Sequence, residues 1–295
     1  MSAWWRQFGV GYEPVILTLR EGGEMLGVAP LKCREGVASF IGDTSVCDYF
    51  DFIVVPGREQ AFSEALFNEC AVRGIVQLDL EALRLDSVAA RYVLPCARNR
   101  GLDFTLSDDG VSYAAALPTS FDDYLAGLSH QQRREILRKQ RRLSALGNSN
   151  FRVPGDWETN IPGMETFLAF MAESRRDKAD FLTDNMRSYF NGIAVAMLSY
   201  GLLRLGFLDV EAKTVAGGLM FEYNDTVYLY NSGYNASFAD LGVGLLSKLA
   251  AIDWAIGQKK AVFDFLKGPE IYKERLGGKQ VKLVTCRLSL GQIHA

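Results

Sequence analysis

The run from Thr226 to Gly278 constrains this chain more than any other part of it. Thr226, Tyr228, Tyr230 and Ser232 alternate with Val227, Leu229 and Asn231, the two-residue period of a pleated strand. Leu241-Gly242-Val243-Gly244-Leu245 then opens a long helix, and a second strand, Phe263-Asp264-Phe265, leads into Lys267-Gly268-Pro269 and Ile271-Tyr272-Lys273. Small residues at a strand-to-helix turn let backbone N–H groups approach a ligand with no Cβ in the way, and the first N–H groups of a helix have no partner inside it. A phosphate suits such a turn, although Gly-x-Gly turns also occur for purely structural reasons.

The rest of the composition narrows the chemistry. At 295 residues there is material for one large domain or two ordinary ones. The hydrophobic fraction is 48% and the charged fraction 23%, with no apolar run of the roughly 18 residues that a membrane span needs. Met1-Ser2-Ala3-Trp4-Trp5-Arg6 lacks the pattern of a secretory signal, so the expected location is cytoplasmic. The five cysteines (Cys33, Cys47, Cys70, Cys96, Cys286) are scattered and odd in number, which suits buried reduced thiols rather than disulfides or a zinc site. With two histidines, His130 and His294, neither a histidine-based triad nor a multi-histidine metal site is expected, and no metal is implied. The formal net charge of −3 does not draw nucleic acid, but Ser129 to Leu146 carries Arg133, Arg134, Arg138, Lys139, Arg141 and Arg142 against one acid, Glu135. Ile136, Leu137 and Leu143 make this stretch a basic amphipathic helix.

The chain also repeats itself. Residues 14 to 118 read as a hairpin across Glu21-Gly22-Gly23-Glu24, a strand at Asp51 to Val55, a helix from Glu59 to Val72, a strand at Ile75 to Leu80, a helix from Ser87 to Arg98 and a strand near Leu102 to Leu106. Residues 202 to 290 follow the same order: a hairpin across Glu211-Ala212-Lys213, the tyrosine strand, the long helix, a strand at Val262 to Phe265, a short helix and a last strand at Val281 to Leu288. Helices near Gly163 to Arg175 and Asp184 to Ser199 precede the second copy, whereas the first opens on Trp4, Trp5 and Phe8, the remnant of its leading helix. The expected fold is mixed α/β (α+β), with units at 1–115 and 116–295, the second opened by the basic helix at 129–146. The first copy's turn, Pro56-Gly57-Arg58-Glu59, lacks a second glycine and places an acid where a phosphate would be repelled, so ligand binding is expected in the second copy.

This order of elements, the basic helix after Leu128-Ser129, the tyrosine strand with its glycine-opened helix and the ending Phe263-Asp264-Phe265-Leu266-Lys267-Gly268-Pro269-Glu270-Ile271-Tyr272-Lys273 resemble the GNAT acetyltransferases. The chain is more closely similar to the bacterial group with two such units, the CelD-like or BioF2-like acetyltransferase domain, related to the Fem (FemABX-like) aminoacyltransferases of peptidoglycan synthesis. The resemblance covers most of the chain and implies two tandem GNAT-like units, the first degenerate. It implies acetyl-CoA or another acyl-CoA as co-substrate and no metal. The pyrophosphate would lie on the N–H groups of Val243, Gly244 and Leu245 at the turn formed by Leu241 and Gly242, and a strand N–H near Asn231, Ser232 or Gly233 would polarise the thioester carbonyl. An acceptor amine then attacks the thioester directly, while a base removes its proton and an acid protonates the leaving thiolate.

Tyr234 and Tyr230 are the candidate acids, with packing as the alternative for a strand tyrosine. Asp264, Glu222 and Glu173 are candidate bases; Asp264 is expected to face a polar cleft while Phe263 and Phe265 enter the core, the alternative being a solvated or paired carboxylate. Lys267, Tyr272 and Lys273, together with Arg134 and Arg138, are the candidates for contact with the second substrate. Three functions follow. The first is an acyl-CoA-dependent N-acyltransferase acting on an amine of a small or cell-envelope, polysaccharide-related acceptor. The second is a Fem-type aminoacyl-tRNA-dependent peptidoglycan aminoacyltransferase, which the basic helix favours and which would make tRNA a partner. The third is a noncatalytic GNAT-like binding protein, motivated by Ala239 and Asp240, since GNAT proteins usually carry Gln or Arg three residues before the first glycine. A four-residue spacing puts Arg134, Arg138 and Arg142 in one stripe suited to a polyanion, whereas a plain structural helix would pair them with acids such as Asp122 or Asp123.

Overall fold

The computed structural model describes residues 1–291, apart from the side chains of Trp157 and Glu158; His294 lies outside the described residues. A short helix, α1 (Ser2–Phe8), precedes a hairpin of β1 (Glu13–Glu21) and β2 (Glu24–Arg34), where Gly22 and Gly23 supply the positive φ angles, 57° and 90°, that a two-residue hairpin turn requires. Next come β3 (Val37–Phe40) and β4 (Ile53–Val54), the latter only a two-residue pairing with β2. The longer strand expected at Asp51 to Val55 does not form. Asp51 instead turns its carboxylate onto the N–H groups of Val88 and Ala89, at 2.8 and 2.9 Å, which holds the chain in a loop. The helix α2 (Glu59–Val72) has its expected bounds. It is followed by β5 (Gln77–Arg84), a π-turn at Ala89–Val93 that runs into α3 (Leu94–Asn99), and β6 (Phe104–Ala116).

Within β6 the chain leaves its first compact unit, Met1–Ser112, for the second, Tyr113–Gln280. Helix α4 (Phe121–Gly127) is capped by the Ser120 hydroxyl, and the basic helix α5 (His130–Ser144) by a capping box in which Ser129 Oγ accepts from Gln132 N and Gln132 Oε1 accepts from Ser129 N. After β7 (Ser149–Arg152), α6 (Trp157–Ser174) starts six residues before the expected helix. Asp156 accepts the Thr159 N–H at 2.7 Å, and this cap sets the start ahead of Pro162, which sits inside the helix. Then follow α7 (Arg176–Phe181), α8 (Asp184–Ser199), the hairpin of β8 (Leu203–Val210) and β9 (Lys213–Tyr223), and the tyrosine strand β10 (Thr226–Tyr234). A 3-10 turn at Ala236–Leu241 leads into α9 (Val243–Gly257), β11 (Val262–Lys267) and α10 (Ile271–Arg275). The strand order in this unit is β6-β11-β10-β9-β8-β7. Gly233 lets α6 pack directly on β10, since a Cβ there would lie 2.3 Å from the Met171 backbone nitrogen.

The last strand, β12 (Lys279–Ser289), departs from expectation. The repeated order of elements puts it at the close of the second unit, but from Val281 onward it belongs to the first, antiparallel to β5 with Cys286 opposite Leu80 and Leu288 opposite Leu78. Burial explains this. Val284, Cys286 and Leu288 alternate into the same core as Leu31, Phe40, Phe62, Leu66, Leu78 and Leu80, and that core is incomplete without them. The strand order of the first unit is therefore β1-β2-β3-β5-β12-β6.

Replacing Leu288, which is fully buried, by Ala should destabilise the first unit by about 2–5 kcal/mol. Hydrogen exchange should then quicken in β5 rather than in β8 to β10; the reverse pattern would place the last strand with the second unit.

Candidate active site

Two parallel strands part in the second unit. β10 and β11 are in register only at Thr226 with Val262, Val227 with Phe263 and Tyr228 with Asp264. Beyond that point β10 bulges against β9 between Leu229 and Asn231, and β11 bends at Leu266, whose φ is +62°. The bend corrects the expectation for Asp264. Its side chain is 2% exposed, as deep as those of Phe263 and Phe265, and Oδ1 accepts the Leu266 N–H at 2.8 Å. Asp264 thus braces a left-handed bend from within the core instead of facing an open cleft.

The residues after the bend are likewise engaged. Lys273, 2% exposed, donates to the carbonyls of Leu266, Lys267 and Gly268 at 3.0, 2.7 and 3.2 Å and pairs with Glu270 at 2.9 Å. It draws the chain after β11 into a tight loop, a structural task that occupies its donors. Lys267, whose carbonyl is one of the three, is half-buried at the end of β11. Tyr272 packs edge-on against Phe265. Tyr230 lies between Phe190 and Phe221 at 5.7 and 5.3 Å, in a packing environment. Tyr234 ends β10, its hydroxyl 3.3 Å from the Ser174 carbonyl. Of the other candidate bases, Glu222 is tied to Arg204 and Lys260, and Glu173 is exposed on α6.

The glycine turn has a specific geometry. Gly242 is left-handed, φ +72°, and caps α9; a Cβ there would stand 2.9 Å from Lys139 Nζ. A Cβ on Gly244 would stand 2.7 Å from the Tyr234 ring. Leu245 and Leu246 both direct their N–H groups to the Gly242 carbonyl, at 3.0 and 3.1 Å. Leu245 is therefore already bonded, and among the described residues the N–H groups of Val243 and Gly244 are the ones at this helix start with no acceptor. The corresponding turn of the first unit is closed, because the Gly57 N–H donates to Glu59 Oε2 at 2.8 Å and a carboxylate occupies the place of an incoming anion.

Helix α5 brings the cation that the turn itself lacks at Ala239. Lys139, whose other neighbour is Glu135 at 3.7 Å, lies over Gly242. Another face of α5 lines a groove of about 710 Å³ with His130, Arg134, Leu137, Arg138 and Arg141. Arg141 takes the place expected for Arg142, since at 3.6 residues per turn a straight row runs i, i+4, i+7 and drifts off i+8. Among the described residues, Arg133, Arg134, Arg138, Arg141 and Arg142 are exposed and form no ion pair, so the expected partners Asp122 and Asp123 do not neutralise them.

Two further cations escaped the sequence reading. Lys178 on α7 donates to Asn231 Oδ1 at 2.7 Å and to the Ser232 carbonyl at 2.6 Å, where β10 leaves β11. Lys248 on α9 donates to the Gly244 carbonyl at 2.8 Å and stands 4.8 Å from the centre of the Tyr272 ring. Burial, aided by the charge of Arg175, pushes Lys178 down to about 8; burial, aided by Lys178, pushes Lys248 down to about 7. The available signal was Lys248 itself, a lone charge in the otherwise apolar face of Leu246, Leu249 and Ile252. Cysteine chemistry has no support, because burial raises Cys47, Cys96 and Cys286 to about 11 and Cys70 to about 12. Among the described residues no cluster of three or more His, Cys, Asp or Glu could hold a metal, and no helix is long and apolar enough to cross a membrane.

Residues 130–274 match the acetyltransferase (GNAT) domain family. The sequence matches no curated protein. Among solved structures, FemX aligns with a TM-score of 0.65 at 12% identity, over 97% of this chain and 90% of its own. The C-terminal domain of a putative lysylphosphatidylglycerol synthetase from Agrobacterium fabrum aligns at 0.60 and 9% identity, over 99% and 87%. L-PGS from Bacillus licheniformis aligns at 0.59 and 8%, over 100% and 91%. At such identities the likeness is one of fold: two tandem GNAT-like units.

Lys248 provides a pH test. Its folded-state value lies below the ordinary 10.5, so between about 7 and that value the unfolded chain binds more protons and stability rises with pH. Lys248→Met should melt higher than wild type at neutral pH, with the gap narrowing toward pH 9.5; a gap that widens with pH would contradict the assignment.

Proposed function

We propose, from the premise that residues 130–274 of this chain belong to the GNAT acetyltransferase domain family, that the protein is an N-acyltransferase that takes its acyl group from acetyl-CoA or another acyl-CoA and delivers it to an amine of a small or cell-envelope acceptor. The observation that carries this reading is the start of α9, where two N–H groups without acceptors and the ammonium of Lys139 converge beside the parting of β10 and β11. Such a helix start favours a pyrophosphate through its N–H groups and its dipole. The cation replaces the Gln or Arg absent at Ala239 and offsets the unfavourable Asp240. Asn231 to Gly233 then lie along the acyl end of the donor.

In the transfer step the amine nitrogen of the acceptor bonds to the thioester carbon, the C–S bond breaks, the amine proton leaves to a base or water, and the thiolate takes up a proton. We assign the return of that proton to Tyr234, which follows Asn231 to Gly233 on β10 and holds its hydroxyl 3.3 Å from the Ser174 carbonyl. Asp264 and Tyr230 support the site through packing and bracing.

Isothermal calorimetry with coenzyme A tests the reading. Wild-type protein should bind, and Lys139→Ala should weaken binding by tenfold or more, about 1.4 kcal/mol, without a change of fold. A substitution at Gly244 is a poor probe, because any side chain there strikes the Tyr234 ring. No binding to wild type, or equal affinity in the Lys139 variant, would remove the donor site from this turn.

A second reading has its own observation. The unpaired arginines of α5 suit a repeated phosphate backbone, as Fem-type transfer from aminoacyl-tRNA would require. The double variant Arg134→Gln and Arg138→Gln removes no ion pair, so its stability should stay within about 0.5 kcal/mol of wild type. If this reading holds, tRNA binding should be salt-sensitive and fall in the variant; tRNA binding that is absent or unchanged would leave the acyl-CoA reading alone.

A further inference from the structure

The charges around the parting of β10 and β11 do not balance. Arg175 and Lys178 on the α6 to α7 side, Lys248 from α9, Lys267 at the end of β11 and Lys273 from α10 stand there against three carboxylates, Asp177, Glu270 and Asp264, the last of which accepts the Leu266 N–H. The neighbouring carboxylates are already engaged. Asp177 is held by Arg175 through two hydrogen bonds at 2.9 and 2.6 Å, and Glu270 pairs with Lys273. Lys178 and Lys248 form no ion pair among the described residues: they donate to the Asn231 amide oxygen and two backbone carbonyls, Lys248 lies over the Tyr272 ring, and Glu270 acts on both from beyond ion-pair distance. Neutral oxygens and a ring face direct an ammonium but do not cancel its charge, and a buried charge without a counter-charge is costly.

We propose that Lys178 and Lys248 form a receptor for an anionic oxygen group, a carboxylate or a phosphate, carried by the acyl acceptor. The identification with the acceptor rests on the acyl-CoA reading above, in which the donor's phosphates belong to the outer end of α9 with Val243, Gly244 and Lys139; the anion site itself does not. Lys178 stands against the bulged part of β10, and Lys248 reaches Gly244 from the inner side of the same turn. An anion that both ammonium groups contact supplies a counter-charge and holds the acceptor's amine toward the acyl carbonyl. The acceptors thus selected are amines on molecules that also carry a carboxylate or a phosphate, such as amino acids, peptides with a free terminus or phosphorylated amino compounds.

Thermal melting separates the outcomes. Wild type, Lys178→Met, Lys248→Met and the surface control Arg34→Gln, an exposed residue of the first unit, are melted in chloride, in inorganic phosphate and in succinate at equal ionic strength. Wild type and the control should melt about 3 °C or more higher in saturating phosphate or succinate than in chloride. Both lysine variants should lose that increment while melting in chloride at or above wild type; should Lys248→Met not fold, Lys178→Met at the edge of the cluster carries the comparison alone. A larger effect of phosphate assigns a phosphorylated acceptor, and a larger effect of succinate a carboxylated one. The proposal is overturned if wild type shows no increment, if the lysine variants keep it, or if Arg34→Gln loses it. Coenzyme A binding is measured separately on the same proteins. An increment without coenzyme A binding would overturn the donor reading and leave this site, whereas coenzyme A binding without an increment would overturn this site alone.

Discussion

The candidate site depends on two parallel strands that stop pairing after three residues. A parallel ladder has no reason to end at Tyr228 and Asp264 unless both strands are forced aside, and both are. β10 takes up a bulge against β9, and β11 turns through a left-handed residue, Leu266, that is not glycine. A positive φ at such a residue is strained and persists only where surrounding bonds over-determine it. Asp264 from one side and Lys273 from the other are those bonds. Asp264 and Lys273, which the sequence offers as a base and a substrate contact, are engaged in holding this bend, and Lys178 bonds to β10 just beyond the end of the ladder.

The two units show how one helix start becomes a binding site and another does not. In the first, Glu59 folds back on the Gly57 N–H and satisfies the loop internally. In the second, glycines at 242 and 244 leave room for a lysine and an aromatic ring to approach the backbone, and no side chain takes the two free N–H groups. The glycines thus admit protein neighbours, Lys139 and Tyr234, that form the walls of the turn. That is a different use of small residues from direct backbone contact with a ligand, and it accounts for the absence of a cation within the turn's own sequence.

Charge is distributed to match. On the outside of the second unit, α5 carries arginines with no ion pairs among the described residues, where water screens them at little cost. Around the parting of the strands, Arg175 and Asp177 pair at the surface and Lys273 pairs with Glu270, while the half-buried Lys178 and the buried Lys248 form no ion pair among the described residues. Charge at a surface is solvated and needs no partner, whereas buried ammonium groups without an ion-paired carboxylate are costly, and the proposed anion site rests on that cost.

Much of this protein was legible in its sequence because it rests on local rules. The period of the tyrosine strand, the Gly22-Gly23 hairpin, the bounds of α2 and α8, the basic helix and the contrast between Glu59 and Gly244 at two helix starts all follow from spacing and turn chemistry within a few residues. What the sequence could not decide was anything settled by a distant partner. The last strand joins β5 because Cys286 and Leu288 complete a core formed two hundred residues earlier. Asp264 is buried because the strand bends two residues later, which overrides the alternation that would have turned it outward. Lys139 becomes part of the glycine turn, and Lys178 and Lys248 become a pair, only when helices far apart in the chain pack on the same strands. Periodicity governs which face a residue takes within its own element, but the neighbour it meets there is set by tertiary packing, and the site consists of such meetings.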